Sequence, residues 1–395
     1  MTRLIGHNWT TLCLLAMTGF MLLSRCGVAR GESVDLWIGT GGNHGLYHCT
    51  LDDDAGQLTT PQLASDKMAG PGFLAMHPSG EVLYAVGNVD GRPSVGAWRI
   101  GSKQGDEQSV ALEWIGSVDI GDAGPCHVSV SPDGRMLLTA QYGGGSVAAY
   151  RLSDDGSIAE QTSLHRHGQS GDPVAGGGSP SGVISHRQSD PHPHWSGFSP
   201  DGRFALVPDL GMDRVVIYRV DADAATITPH GYAEAIPGGG PRHMKFSADG
   251  RHVYVVNEMD LSISVFDYDA KTAAMTRVQT VATVPKELLA KEEFKTASEV
   301  RVSGDGRFVY AANRGHDTIT VFAAGEDGRL TVVEREPVRV ATPRNFNLSS
   351  SGRWMVVGGQ TSDNVSIFTV GDDGELAFHR QVVPVPVPIC FVFGG

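Results

Sequence analysis

Ser131-Pro132-Asp133-Gly134-Arg135-Met136-Leu137-Leu138-Thr139-Ala140 sets a short polar turn against an apolar run, and the chain repeats that pattern. The turn recurs as His77-Pro78-Ser79-Gly80, Ser199-Pro200-Asp201-Gly202-Arg203 and Ser247-Ala248-Asp249-Gly250-Arg251. It returns again as Ser303-Gly304-Asp305-Gly306-Arg307 and Ser349-Ser350-Ser351-Gly352-Arg353. In each copy Asp or Ser offers a local acceptor, and Gly supplies the positive φ that a tight hairpin needs. The turn glycines at 80, 134, 202, 250, 306 and 352 are spaced by 54, 68, 48, 56 and 46 residues. A repeat of this length means an array of one supersecondary unit.

The runs after the turns, such as Phe204–Val207, His252–Val256 and Trp354–Val357, are rich in β-branched and aromatic residues and read as buried strands. Another strand follows each of them (Arg214–Tyr218, Ser262–Phe266, Thr318–Phe322, Asn364–Phe368), and a less regular segment closes the unit. Four strands in roughly 50 residues make a propeller blade. The ends supply one blade more. Val34–Ile38, Gly45–Leu51 and Gln57–Pro61 read as strands two to four of a blade, and Pro388–Phe393 as its missing first strand. The fold expected is therefore all-β: a seven-bladed propeller of four-stranded antiparallel blades, closed by pairing the termini so that no sheet edge is left between them.

The chain of 395 residues is 41% hydrophobic and 19% charged, which excludes a disordered chain. A net charge of −13 argues against a nucleic-acid partner but leaves room for an anionic small molecule at a local arginine cluster. Residues 1–30 have the layout of a secretory signal peptide: Arg3, an apolar stretch from Trp9 to Leu23, then Ser24-Arg25-Cys26-Gly27-Val28-Ala29 with cleavage expected after Ala29. The expectation is a leader over 1–30, one propeller domain over 31–395, and export to the periplasm or beyond, with a cytoplasmic protein as the alternative if the leader is a misassigned start. Nothing later in the chain is long and apolar enough to span a membrane as a helix. The three remaining cysteines, Cys49, Cys126 and Cys390, form no disulfide framework and read as small buried hydrophobes.

In a propeller the loops leading into the first strands meet at one mouth of the central channel, where function is sought. Here those loops carry His127, His192, His194, Arg242, His243, Glu299 and Arg344, and the ends of the second strands carry Tyr142, Glu258, Arg314 and His316. Asp209, Asp317 and Asp363 recur after second strands and read as structural. By contrast His194, Arg242, Glu258, Arg314 and Arg344 are not repeated from copy to copy, and departure from the repeat points to chemistry. His165, His167, His186, His192 and His194 cluster around a loop over 161–190 without a metal-ligand spacing, so no metal is expected. Lys286–Lys295 reads as a short solvated helix.

These stretches resemble the lactonase family of seven-bladed propellers, which includes the propeller-type 6-phosphogluconolactonases of bacteria and the fungal cis,cis-muconate lactonizing enzymes. The resemblance runs from about Asp35 to Phe393 and is carried by Gly124–Arg135, Pro191-His-Pro-His194 and Val207–Arg214. It continues in Gly240-Pro-Arg-His243, Val256-Asn-Glu258, Asn313–Asp317 and Pro343–Phe346. The chain departs at Ala297-Ser298-Glu299, where the family usually has Ser-Ala-Glu, and at Gly358-Gly359-Gln360, where Ala-Asn is commoner. The resemblance implies a metal- and cofactor-independent site built from His194, Arg242, Glu258 and Arg314. Beside it, His127, Tyr142, His243, Glu299, His316 and Arg344 are candidate substrate contacts.

Ring-opening of a lactone needs an activated water and a stabilised oxyanion. His194 or Glu258 suits the first task, and Arg242 and Arg314 suit the second or a grip on an anionic group. The expectation is a hydrolase acting on a small, sugar-derived lactone. A non-catalytic ligand- or protein-binding propeller and a muconate-type cycloisomerase are the competing readings.

Overall fold

The structure, a computed structural model, describes residues 33–101, 110–169, 187–289 and 294–394. Seven antiparallel sheets follow one another around a central channel. Numbered from the terminal blade, their innermost strands are Pro388–Phe393 (blade 1), Ala69–Met76 (2), Pro125–Val130 (3) and Gly197–Phe198 (4). Pro241–Phe246 (5), Thr296–Val302 (6) and Pro343–Leu348 (7) complete the ring. Blade 1 forms as the sequence requires, with the C-terminal strand pairing Leu36 to Phe393 and Ile38 to Phe391. The leader expected over 1–30 lies outside the described residues.

The repeated phrase is the turn between first and second strands. At blade 3 the Gly134 amide (φ 74°) donates to the Ser131 carbonyl at 2.9 Å, and Asp133 accepts from the Ser131 hydroxyl and from the Arg135 amide and Nε. The same hydrogen bonds recur at Asp201, Asp249 and Asp305. Blade 7 has Ser351 instead of Asp, and Asp53 of blade 1 supplies the carboxylate. It accepts from Ser351 and from Arg353, both at 2.7 Å, while its carbonyl takes the Trp354 indole at 2.8 Å. Gly56 closes this joint: a Cβ there would fall 2.1 Å from the Trp354 ring.

The core lies between neighbouring blades. At the closing joint Leu36, Ile38, Leu51 and Phe391 pack on Trp354, Val356 and Val365, all buried. At about 25 cal/mol per Å² of apolar surface, such faces between sheets supply most of the driving force.

Three details differ from the sequence reading. The outer edge of blade 1 is two short strands, Gln57–Leu58 and Gln62–Ser65, because Pro61 has no amide to extend one. The loop expected from residue 161 is strand up to Arg166, and residues 170–186 lie outside the described set. The helix is one turn, Lys286–Leu289, and of the residues that were to continue it 290–293 are not described.

Candidate active site

The first strand of every blade but the fourth pairs with a break in register. In blade 5 Pro241 pairs with Asn257 and His243 with Val256, leaving Arg242 unpaired between them. In blade 7 Arg344 is skipped in the same way between Pro343 and Asn345, and in blade 3 Cys126 between Pro125 and His127. In blade 6 Ser298 and Glu299 lie between the paired Ala297 and Val300. Proline at the start of a strand costs no ladder hydrogen bond, and a bulge after it turns one side chain out of the alternation. The bulges deliver Arg242, Glu299 and Arg344 to the channel mouth.

Glu258, at the end of the second strand of blade 5, is the pivot. Its Oε2 lies 2.8 Å from Arg242 Nε, and its Oε1 lies 2.8 Å from Arg314 Nη2 and 2.7 Å from Arg187 Nη1. Glu258, Arg242 and Arg314 are 2%, 1% and 6% exposed, so the pairing is shielded from water. Burial opposes ionisation of Glu258, but Arg314 and Arg242 outweigh it and hold the carboxyl well below its usual range. Burial, then the nearby Arg344, brings Arg242 down to about 9.

The arginines keep donors in reserve. Arg242 Nη1 donates to the Ser298 carbonyl at 2.5 Å and to His243 Nε2 at 3.1 Å, while its Nη2 has no partner among the described residues. Arg314 spends Nη2 on Glu258 and the Ala297 carbonyl, and its Nε is buried without a partner. Arg344 has neither a hydrogen bond nor an ion pair among the described residues. Burial, then Arg314, lowers it to about 10. A buried donor left unpaired costs on the order of 1–3 kcal/mol, as at Arg314 Nε, and the donors left on Arg242 and Arg344 are open to an oxygen partner from water or a ligand.

Three buried histidines stand beside the cluster. Because an arginine only donates, His243 Nε2 is an acceptor, and its proton sits on Nδ1 facing Glu299 Oε1 at 3.2 Å. Glu299 is further held by the Asn345 amide. His127 accepts the Ser196 amide on Nδ1 and is wedged against Phe73, Trp195 and His243. His194 packs 5.2 Å from the His243 ring and 5.5 Å from Tyr142, and neither of its nitrogens has a hydrogen bond among the described residues. Burial first, then Arg242, holds His194 and His243 well below the ordinary histidine range, so both are neutral at neutral pH. Burial and then His243 do the same for His127.

The structure brings His194, Arg242, Glu258, Arg314, Tyr142, His243, Glu299 and Arg344 into one neighbourhood, with His127 behind it. His316 does not join. Its ring bonds Thr318 Oγ1, two residues on, at 2.9 Å. Arg187 is the residue that sequence reading passed over, because it sits in a Gly/Ser-rich stretch. Its Nε bonds the Tyr142 hydroxyl at 3.1 Å while its Nη1 reaches Glu258.

Cys126 gives its thiol to the Ala140, Pro193 and His194 carbonyls, and burial pushes it up to about 12, which leaves no nucleophile. His165, His167 and His192 are already bonded to the Ile227 carbonyl, Asp209 and the Tyr142 carbonyl. His186 lies outside the described residues. Asp317 and Asp363 do hold the loop into the next blade, through the Thr342 and Val387 amides. Their counterpart in blade 4 is Asp213, which binds the Gly238 and Gly240 amides. Asp209 differs: it orients the segment before His194 through the His192 amide at 2.7 Å.

Residues 35–393 match the family described as lactonase, seven-bladed β-propeller. A 6-phosphogluconolactonase of Bacillus subtilis is 31% identical over 314 residues, covering 78% of this chain and 83% of the relative. The periplasmic gluconolactonase of Pseudomonas aeruginosa superposes with a TM-score of 0.80 at 28% identity, covering 92% of this chain and 99% of its own. A Lactobacillus plantarum protein gives a TM-score of 0.81 at 28% identity with the same coverage.

Proposed function

The chain belongs to the lactonase family of seven-bladed β-propellers, and on that premise we propose that it hydrolyses sugar-derived lactones at the mouth around Glu258. The observation that carries this reading is the set of unused arginine donors beside a neutral histidine with no partner. His194 is the base: it takes a proton from water as the water oxygen bonds to the lactone carbonyl carbon. Arg242 Nη2 and Arg314 receive the oxyanion that develops. As that intermediate collapses, the bond from the acyl carbon to the ring oxygen breaks, and the protonated His194 returns its proton to the departing alkoxide. Glu258 is a poor base because three arginines hold it ionised. It fixes their guanidinium planes and offsets part of their charge.

Arg344 suits a lactone that carries a carboxylate or phosphate, since a lone guanidinium binds such groups through two parallel hydrogen bonds. The leader pattern over 1–30 and the periplasmic gluconolactonase relative support action outside the cytoplasm. There an aldonolactone is a more accessible substrate than a phosphorylated cytosolic intermediate. The test is acid release at constant pH from a panel of neutral, carboxylate-bearing and phosphorylated lactones. Wild-type protein should exceed the spontaneous rate, and Arg242→Ala should lose about 10²–10³ in kcat. Equal rates for both proteins at the background level on every lactone would overturn the assignment.

A further inference from the structure

At the far end of the channel the first strands of blades 5, 6 and 7 carry Lys245, Arg301 and Asn347 at one register, opposite Tyr254, Tyr310 and Val356. At that register the other blades have Ala75, Ser129, Gly197 and Val392. The fold thus needs no cation here, yet two stand on adjacent blades. They open into a cavity of about 910 Å³, also lined by Asn347, Ser303, Ser349 and Ser351.

The other arginines of this cavity are engaged: Arg307 pairs with Asp305 at 2.6 Å and Arg353 with Asp53 at 2.7 Å. Lys245 is not. Its ammonium has no hydrogen bond or ion pair among the described residues and lies over the Trp195 ring, 5.6 Å from its centroid, with Arg301 and Glu299 the charged groups that act on it. Arg301 gives Nε to the Phe346 carbonyl at 3.3 Å, and its Nη2 lies 3.6 Å from Glu299. That carboxylate is shared with Asn345 and His243 on the catalytic side. Burial, then Arg301, brings Lys245 down to about 8. Ser129 Oγ, at the same register, is buried without a partner.

The cavity's own carboxylates, Asp305 and Asp372, act on Arg307 at its turn end, so the two neighbouring cations Lys245 and Arg301 have only the shared Glu299 between them. We propose that this end of the channel is a second ligand site, taking a phosphate-type oxyanion between Lys245 and Arg301. It is separate from the catalytic mouth. The contacts from Arg242 to His243 (3.1 Å), His243 to Glu299 (3.2 Å) and Glu299 to Arg301 (3.6 Å) stand between the two.

Lysine-specific acetylation of the full-length protein, read by peptide mass mapping, tests this with inorganic phosphate, a sugar phosphate and the unphosphorylated sugar as probes. Lys245 should label readily, as a lysine depressed to about 8 does. Phosphate-bearing probes should protect it saturably, in wild type and in Arg344→Ala, which removes a cation from the other mouth only. Protection by both probes assigns a free-phosphate pocket; protection by the sugar phosphate alone assigns a phosphate monoester. Calorimetry should show phosphate binding to Arg344→Ala weakened about tenfold or more by adding Lys245→Met. The proposal fails if Lys245 does not label, if no anion protects it, if the neutral sugar protects it equally, or if affinity survives Lys245→Met. Each outcome is independent of lactone hydrolysis.

Discussion

The two ends of the blades solve opposite problems. At the turn end, Ser, Asp, Gly and Arg of one phrase satisfy one another, blade after blade, and the pairs are exposed: Arg251 and Asp249 side chains are 67% and 44% accessible. At the mouth Glu258, Arg242, Arg314 and Glu299 are buried, no two blades carry the same set, and donors remain unpaired on Arg242, Arg314 and Arg344 among the described residues. A repeated, self-satisfied group holds the scaffold. A buried group that breaks the repeat and lacks a partner costs stability, which the packing between blades offsets, and marks where the proposed chemistry would sit.

The sharpest way to break this contrast is Glu258→Gln. Removing one side of a buried ion pair leaves uncompensated charge and costs about 3–5 kcal/mol. With Arg242, Arg314 and Arg187 around one carboxylate, the folded state should lose that much in urea titration, and kcat/KM should fall with it as the guanidinium planes drift. A variant as stable as wild type would mean that the arginines repel less than their geometry requires.

Acidity sharpens the contrast next. His194 acts as a base only when neutral, and its folded pKa lies below 6.5, so kcat/KM should stay level through neutral pH and turn down only below about 6.5. In His194→Gln that limb should vanish together with most of the rate. A limb that persists in the variant at a carboxylate's pH would transfer the role to Glu258. Stability follows the same groups. His127, His194 and His243 resist protonation when folded and accept it when unfolded. Their contribution is complete above the unfolded value near 6.5 and is lost as pH falls from there towards the folded values. The exposed turn pairs contribute nothing in that window.

How far the sequence carries depends on whether a feature is local. The turns, the strand order and the borrowed terminal strand were all legible, because Asp-Gly-Arg chemistry and β-branched runs act over a few residues. Arg242, Glu258, Arg314 and His194 stood out against the repeat. The bulges that aim Arg242 and Arg344 did not, since a skipped register depends on the partner strand. Arg187 looked like part of a polar loop, and its role arises only when the chain folds back over Tyr142. Aligning Asp209 with Asp317 and Asp363 failed because the three loops are equally long: Asp209 closes its second strand opposite Arg214, as Asn313 and Gly359 do opposite Thr318 and Asn364, and Asp213 is the true counterpart. Lys245 and Arg301 carry no signal in the sequence, because only the strand register puts them at equivalent positions of adjacent blades.

The smallest expected effect tests the turn end against itself. Asp249 serves its own turn, whereas Asp53 serves a turn in another blade and joins the two ends of the chain. An exposed, locally paired carboxylate is worth less than about 1 kcal/mol, so Asp249→Ala should barely move the unfolding midpoint. Asp53 is 8% exposed, takes hydrogen bonds from Ser351 and Arg353, and turns its carbonyl to Trp354. Burial works against its charge, but the Arg353 and Ser351 hydrogen bonds outweigh it and keep the carboxyl below its ordinary range. Asp53→Ala should therefore cost about 1–3 kcal/mol, with lactone hydrolysis per folded molecule unchanged. Since a depressed carboxylate stabilises only while ionised, the gap between the two variants should close as pH falls below about 4. Equal losses at neutral pH would show that ring closure rests on strand pairing and packing alone, and that the carboxylate borrowed across the joint adds no more than the turns that carry their own.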